Sequence, residues 1–417
     1  MTRLSLPPQG RDWKAIGLEM EAAHAADLPV HNERLFGPAY FADERVLEVG
    51  QSAFAMYYSE NALYGATSYP SILRYETEIV EFLLDLLHAP GGAAGDLTIG
   101  GTESNMMAVK MARDQARANR SDIEKPEIVV PRTAHPSFFK AGQMLGLEVV
   151  RMAKSVDYRA DLEAMEHAVT PNTIMLVASA PPFPYGVVDP VAEIAALASD
   201  NGLWMHVDCC LGGLILPFAR QFDSSIPDFD FRVPGVTSIS TDLHKYGYAV
   251  KGISSLMVRD EALQIHRRFV FDDPVAGFYS TPNIAGTRPA GAIAAAWAVM
   301  NFLGRDGYSE TVRELLEIKR RLIEGIRRVD GLEICGQPHA AHFNYTSRSL
   351  DIYAVASGLE DRGWKAGLGG EPPSIWMMVN MTHRDIVDDY LEDLGEIARL
   401  VKAGKIENRG REAVYAR

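Results

Sequence analysis

Cysteine is scarce in this chain: three among 417 residues, Cys209, Cys210 and Cys335. Adjacent cysteines are poorly placed to bridge each other, so no disulfide framework is implied, which fits a reducing, cytoplasmic setting. With no second CxxC and no histidine cluster, the pair reads as small buried residues and no metal site is expected. No apolar run reaches the ~18 residues that a membrane span requires. The opening segment MTRLSLPPQGRDWKAIG lacks the apolar core of a signal peptide. Positive charge is also short, since 41 Lys and Arg face 55 Asp and Glu, a formal net charge of −14. Nucleic acid and an anionic membrane surface are thereby excluded as main partners, and an anionic substrate would need local basic groups. Internal repeats and low-complexity tracts are absent too.

What is present is the pattern of an α/β enzyme. Hydrophobic content of 47% and charged content of 23% are ordinary globular values. The length exceeds one typical core, so a large and a smaller domain are expected. An N-terminal arm runs over 1–66. From there the strand-like runs EIVV, LEVVRM, TIMLVASA, LWMHVD, VTSIS and SSLMV alternate with helical ones such as DLEAMEHAV and PVAEIAALASDNG. Such alternation implies a mostly parallel sheet covered on both faces, over 67–304. AGAIAAAWAVMNFLG and ETVRELLEIKRRLIEGIRRV then lead into a smaller α+β domain, 305–417, with LEICG and SIWMMVNM as its strands.

Four segments carry chemistry. In TDLHKYGYAVKG, Thr241 to Gly252, a strand-like run delivers a turn where His244 and Lys245 sit side by side. A lysine behind a buried strand is positioned to be desolvated, and a neutral amine attacks an aldehyde to form a Schiff base. TIGGTES, Thr98 to Ser104, opens a helix; its glycines permit close backbone approach, and Thr102 and Ser104 add hydroxyls to the helix N-terminus, as a phosphate cradle needs. LWMHVDCCLGG ends a buried strand on Asp208, a carboxylate that needs a cationic partner such as a protonated pyridine nitrogen. RTAHPSFFKAG offers His135 after a strand, where it could lie flat on a ring. Singly these segments read as a surface lysine, a capped turn, an N-cap aspartate and a structural histidine. Together, in the chain order glycine-rich turn, histidine, strand-end aspartate and lysine, they describe a pyridoxal phosphate (PLP) site.

The arrangement resembles fold type I PLP-dependent transferases. GGTESNMMA, HVDCCLGG and SISTDLHKYGYAVKG are similar to motifs of the sphingosine-1-phosphate lyases, within the PLP-dependent decarboxylase group, as are SAPPFPYGVVDPV and GFYSTPNIAGTRPAG. The resemblance covers most of the chain from Phe36 onward. It implies that Lys245 holds PLP as a Schiff base, that Asp208 pairs with the pyridinium nitrogen, and that His135 stacks on the ring. Gly101, Thr102 and His244 would hold the cofactor phosphate. Ser280 and Thr281 would reach that phosphate from the other subunit of a homodimer. Eukaryotic lyases of this type carry an N-terminal membrane anchor, so the chain looks like the soluble bacterial form.

The implied reaction is retro-aldol cleavage of the C2–C3 bond of a 2-amino-3-hydroxy compound, such as a sphingoid base phosphate, into a fatty aldehyde and phosphoethanolamine. Tyr185, Tyr246 and Lys245 are candidate bases, and the two tyrosines serve equally well as packing residues. For the substrate phosphate, Tyr40 and Lys251 match the lyase tyrosine and lysine. The lyase histidine is missing: LYGATSYP stands there, with Tyr64 or Gly65 at its position. Loss of that imidazole could cost an anion site ~1–3 kcal/mol. An amino acid decarboxylase is the alternative within the fold, disfavoured by Leu211 after the cysteine pair and HKYG in place of HKW. A catalytically inactive PLP-fold binding protein is the alternative of another class.

Overall fold

The computed structural model of the chain describes residues 3, 5–37, 39–120, 122–273, 275 and 277–414; residues 1, 2, 4 and 38 of the expected arm lie outside that set. Its centre is a seven-stranded sheet. In spatial order the strands are Ala94–Thr98, Ser254–Val258, Ser238–Thr241, Trp204–Asp208, Thr173–Ser179, Glu127–Pro131 and Glu148–Met152. Ser254–Val258 is antiparallel to both its neighbours, and every other pairing is parallel. Thr173–Ser179 and Trp204–Asp208 are buried at every position. That explains their continuous apolar reading, because parallel strands are covered on both faces. Each large aliphatic side chain buried there contributes about 1.5–3 kcal/mol.

The six expected strands of this sheet all form. The seventh, Ala94–Thr98, was not foreseen: AGDLT has weak strand character, and it is held in place by its antiparallel partner. Its C-terminal end delivers the chain into the helix Gly101–Asn119, whose first half is buried on every side from Glu103 to Val109.

A five-stranded sheet forms the second layer, in the order Leu35–Phe36, Lys365–Gly370, Pro373–Met378, His342–Ser347 and Leu332–Ile334. Leu35–Phe36 comes from the N-terminal arm and pairs parallel with Lys365–Gly370. Phe36 is fully buried, stacked 4.1 Å from the His383 ring. Between the sheets lies the helical stretch Ala290–Arg328, broken at Gly304, where φ is 56°. That backbone conformation favours glycine, and the two helices expected from the sequence meet there.

Candidate active site

The site sits where the parallel strands end. Asp208 is the last residue of its strand, paired with Ser240 on the neighbouring strand. Gly212 and Gly213 follow because the chain turns back into tight quarters. A Cβ on Gly212 would stand 2.0 Å from the Ala180 carbonyl, and one on Gly213 2.3 Å from the Thr241 hydroxyl. The carboxylate of Asp208 is buried, yet well satisfied. Asn105 Nδ2 donates to it at 2.9 Å and the Cys210 backbone N–H at 3.1 Å. Burial opposes its charge, but His135, Cys210 and Lys245 outweigh burial and hold its pKa below the ordinary carboxylate value. It is a buried anion at the mouth of the sheet.

Asn105 also ties this aspartate to the histidine. Its amide donates to Ser137 Oγ at 3.0 Å, and its carbonyl faces His206 Nε2 at 3.2 Å. The Ser137 backbone N–H in turn donates to His135 Nδ1 at 3.1 Å. His135 therefore carries its proton on Nε2, and burial keeps the ring neutral by pulling its pKa down.

Across the cavity, Gly101 opens its helix so close to the opposing wall that no side chain fits. A Cβ there would lie 2.7 Å from Cys210 Sγ and 2.8 Å from both oxygens of Asp242. The backbone N–H groups of this first turn have no partner within the helix, which makes it an anion cradle. Glu103, buried in the same turn, accepts from the Ile99 N–H at 2.8 Å and from Ile284 and Ala285 at 3.0 and 3.1 Å. It locks the loops on either side of the cradle. His244 donates Nδ1–H to the Ile253 carbonyl at 2.7 Å, leaving Nε2 on the cavity side, 3.7 Å from Asp242.

Lys245 reaches into the same space, with Nζ 2.8 Å from Asp242 Oδ2. Here the structure corrects an expectation. Burial does pull the ammonium pKa down, but Asp242, Cys210 and Tyr40 outweigh it and leave the pKa above the ordinary lysine value. The lysine rests as a paired ammonium, because a carboxylate at contact distance stabilises charge more than burial penalises it. These groups share one cavity of about 1300 Å³, walled farther out by Met106, Met144, Phe183, Leu368, Trp376 and Met378.

A paired lysine ammonium, a buried carboxylate, a neutral imidazole and an anion cradle around one cavity have a counterpart among known proteins. Residues 59–346 match the model of the pyridoxal-dependent decarboxylase conserved domain. The chain belongs to that family. Among its relatives within the family are sphingosine-1-phosphate lyases and, at 33% identity over 79% of this chain, an L-aspartate/L-glutamate decarboxylase from Pyrococcus horikoshii. The sphingosine-1-phosphate lyase from Arabidopsis thaliana is 40% identical over 340 residues, and the one from Oryza sativa is 36% identical over 423. These alignments take in 80% and 99% of this chain, and 62% and 78% of the respective relatives. A solved sphingosine-1-phosphate lyase from Burkholderia pseudomallei superposes with a TM-score of 0.92 at 34% identity, over 97% of this chain and 94% of that one. The chain is a PLP-dependent enzyme of fold type I.

The residues present suit that cofactor. Asp242 Oδ1, buried in the wall, has no hydrogen-bond partner among the described residues, and Gly101 itself brings no side chain into the cradle. For this pyridoxal-dependent decarboxylase relative, the remaining candidates divide. Tyr185 lines the cavity, but its hydroxyl donates to the Glu371 carbonyl and its ring stacks on Tyr158 at 4.8 Å. Burial pushes its pKa far up. Tyr246 lies behind the wall, with its hydroxyl 3.3 Å from the Val379 carbonyl and its pKa also raised by burial. Tyr40 lines the cavity and Lys251 stands beside it. Tyr64 is 52% exposed and off the cavity wall. Ser280 and Thr281 lie on the strand Tyr279–Thr281, also off the cavity wall.

Asp242, Asn105, Glu103 and Ser137 were missed as site residues. Asn105 had a legible signal, standing four residues after Gly101 on the same helix face. Asp242 stood in plain view, three residues before the lysine. No metal-binding cluster of His, Cys, Asp or Glu occurs among the described residues, and no helix there is long and apolar enough to cross a membrane.

Proposed function

We propose that this enzyme cleaves the C2–C3 bond of a phosphorylated 2-amino-3-hydroxy compound such as a sphingoid base phosphate, releasing a fatty aldehyde and phosphoethanolamine. The observation that carries this reading is the meeting of Tyr40 and Lys251 near Lys245: the Lys251 ammonium, from a distant segment, lies 4.6 Å from the centre of the Tyr40 ring, and the two would form an anion-binding corner next to the reactive amine. The apolar outer wall of Met106, Met144, Leu368 and Trp376 suits an alkyl chain.

PLP, when bound, supplies the electron sink for the pair released as the C2–C3 bond breaks. Lys245 would anchor it, Asp208 would pair with its ring nitrogen, His135 would lie over its ring, and Gly101, Thr102 and His244 would hold its phosphate. Of the three candidate bases, Lys245 lines the cavity and is the one whose polar end is not held by a backbone carbonyl. Both tyrosine hydroxyls are spent on backbone carbonyls. Lys245, freed by the substrate amine, accepts the C3 hydroxyl proton, and Asp242 at 2.8 Å stabilises the resulting ammonium.

The active form in this reading is a cytoplasmic homodimer in which Ser280 and Thr281 complete the partner's phosphate site. The hairpin that bears them exposes Phe269, Val270, Phe271 and Phe278, and the helix Trp13–His24 buries none of its residues in the protomer. Within the protomer, we divide the chain into arm, large and small domains at 66 and 304. A substrate panel tests the activity: sphingoid base phosphates should release aldehyde, while CO₂ from common amino acids without aldehyde would establish a decarboxylase. A monomeric mass by sedimentation would remove the shared site.

A further inference from the structure

Asp242 is a carboxylate with an unusual position. Its side chain is 2% exposed, Oδ2 lies 2.8 Å from Lys245 Nζ, and Oδ1 has no hydrogen-bond partner among the described residues. Both oxygens abut Gly101, at the foot of the cradle. A buried carboxylate is costly unless it meets a cation, and here that cation is the lysine ammonium. Asp208, the carboxylate for the cofactor nitrogen, is already satisfied by Asn105 and Cys210 and is not the lysine's partner.

We propose that Asp242 is the positioning residue for Lys245, the counter-ion that holds its ammonium aimed into the cavity until the cofactor arrives and so sets the pH at which the cofactor is captured. Capture joins the Lys245 nitrogen to the aldehyde carbon and expels the aldehyde oxygen as water. An ammonium and an aldehyde become a protonated imine and one water, with no net proton exchanged. The attacking nitrogen must nevertheless give up its proton before it bonds and regain one afterwards. A carboxylate at contact distance makes that first deprotonation harder, so capture accelerates as pH rises.

Other charged and titratable groups face the pair. His244 and Lys251 come from the same turn, and Tyr40 from the arm. Asp208 and Cys210 come from the strand end, His135 from the loop opposite and His342 from the second sheet. Burial keeps His135, His244 and His342 neutral, so Asp242 is the anion in contact with Nζ.

The inference rests on the cofactor assignment and not on the substrate, because capture uses none; its failure leaves the lyase reading untouched. Cofactor-stripped wild type and Asp242→Asn are mixed with PLP from pH 6 to 10, and the band at the visible–ultraviolet edge is followed in time. Asparagine keeps the shape and removes the charge. Its midpoint for capture should fall by about one pH unit or more, which is about tenfold faster capture at pH values well below both midpoints. Superimposable profiles, or a midpoint that rises, would overturn the proposal. Thermal unfolding of the stripped protein gives a second reading should the asparagine variant fold poorly. Lys245→Met, which leaves the buried carboxylate unpaired, should lower Tm by about 3 °C or more. Adding Asp242→Asn to it should recover at least half of that loss, and a double variant no more stable than the single one would overturn the pairing.

Discussion

The Lys251 ammonium stands 4.6 Å from the centre of the Tyr40 ring while donating to the His244 carbonyl at 2.8 Å. Two residues 211 positions apart (251 − 40) are thereby joined beside the cavity, whose wall includes Tyr40 but not Lys251. The contact has consequences for binding and for its pH dependence.

Lys251→Ala should raise KM for phosphorylated substrates about tenfold or more, the worth of one charge-assisted hydrogen bond, and change KM for unphosphorylated analogues little. Equal loss for both would remove Lys251 from the phosphate site. Partial desolvation, with the Lys245 charge behind it, pushes the Lys251 pKa down to about 8. A lowered amine pKa means that charge is lost earlier as pH rises. Affinity for the phosphate should therefore weaken from about pH 8 upward, short of the ordinary lysine value of ~10.4. Lys251→Arg should remove that dependence, since guanidinium stays charged.

Gly101→Ala tests the cradle. Its Cβ would meet Cys210 Sγ and both Asp242 oxygens under 3 Å, within a fully packed wall. The variant should fold with a lower Tm and bind PLP at least about tenfold more weakly, measured by titration of the stripped protein. Unchanged affinity would place the phosphate elsewhere.

Asp208→Asn should weaken PLP binding by about tenfold to a hundredfold, the ~1.5–3 kcal/mol of a hydrogen bond to a charged group. The Asn105 amide would then face another amide in place of a carboxylate. Binding as tight as wild type, with the absorbance band unshifted, would mean that Asp208 does not touch the ring nitrogen.

Tyr185→Phe and Tyr246→Phe should each lower kcat by less than about tenfold, because each hydroxyl is held by a carbonyl and neither ionises in the working range. Loss of a general base costs ~10²–10⁴. A fall of that size with a displaced pH optimum would make that tyrosine the base and release Lys245 from the role.

Much of the site was legible before any coordinates because its parts are local. The glycine turn, the strand-end aspartate and the His-Lys pair each announce themselves within a dozen residues. Strand alternation announced six of the seven strands in the large sheet. Ala94–Thr98 escaped because AGDLT has no β-branched run, and its conformation is imposed by Ser254–Val258 alongside. Leu35–Phe36 escaped for a similar reason: two residues cannot show a period, and their partner strand lies some 330 residues later. The roles of the two tyrosines were open in sequence, since a hydroxyl's partner is a matter of packing.

By itself the sequence determined the chemistry that depends on residue type and short spacing. It held a lysine able to form an imine, an aspartate at the end of an apolar strand, and glycines where a backbone must approach a phosphate. The tertiary structure decided which charges meet. It paired Lys245 with Asp242 rather than leaving a neutral amine, and it brought Lys251 to Tyr40. It also left Tyr64 off the cavity wall. The reason is physical: whether a group is charged depends on distances of a few ångströms between segments far apart in the chain, and burial counts only once those neighbours are in place.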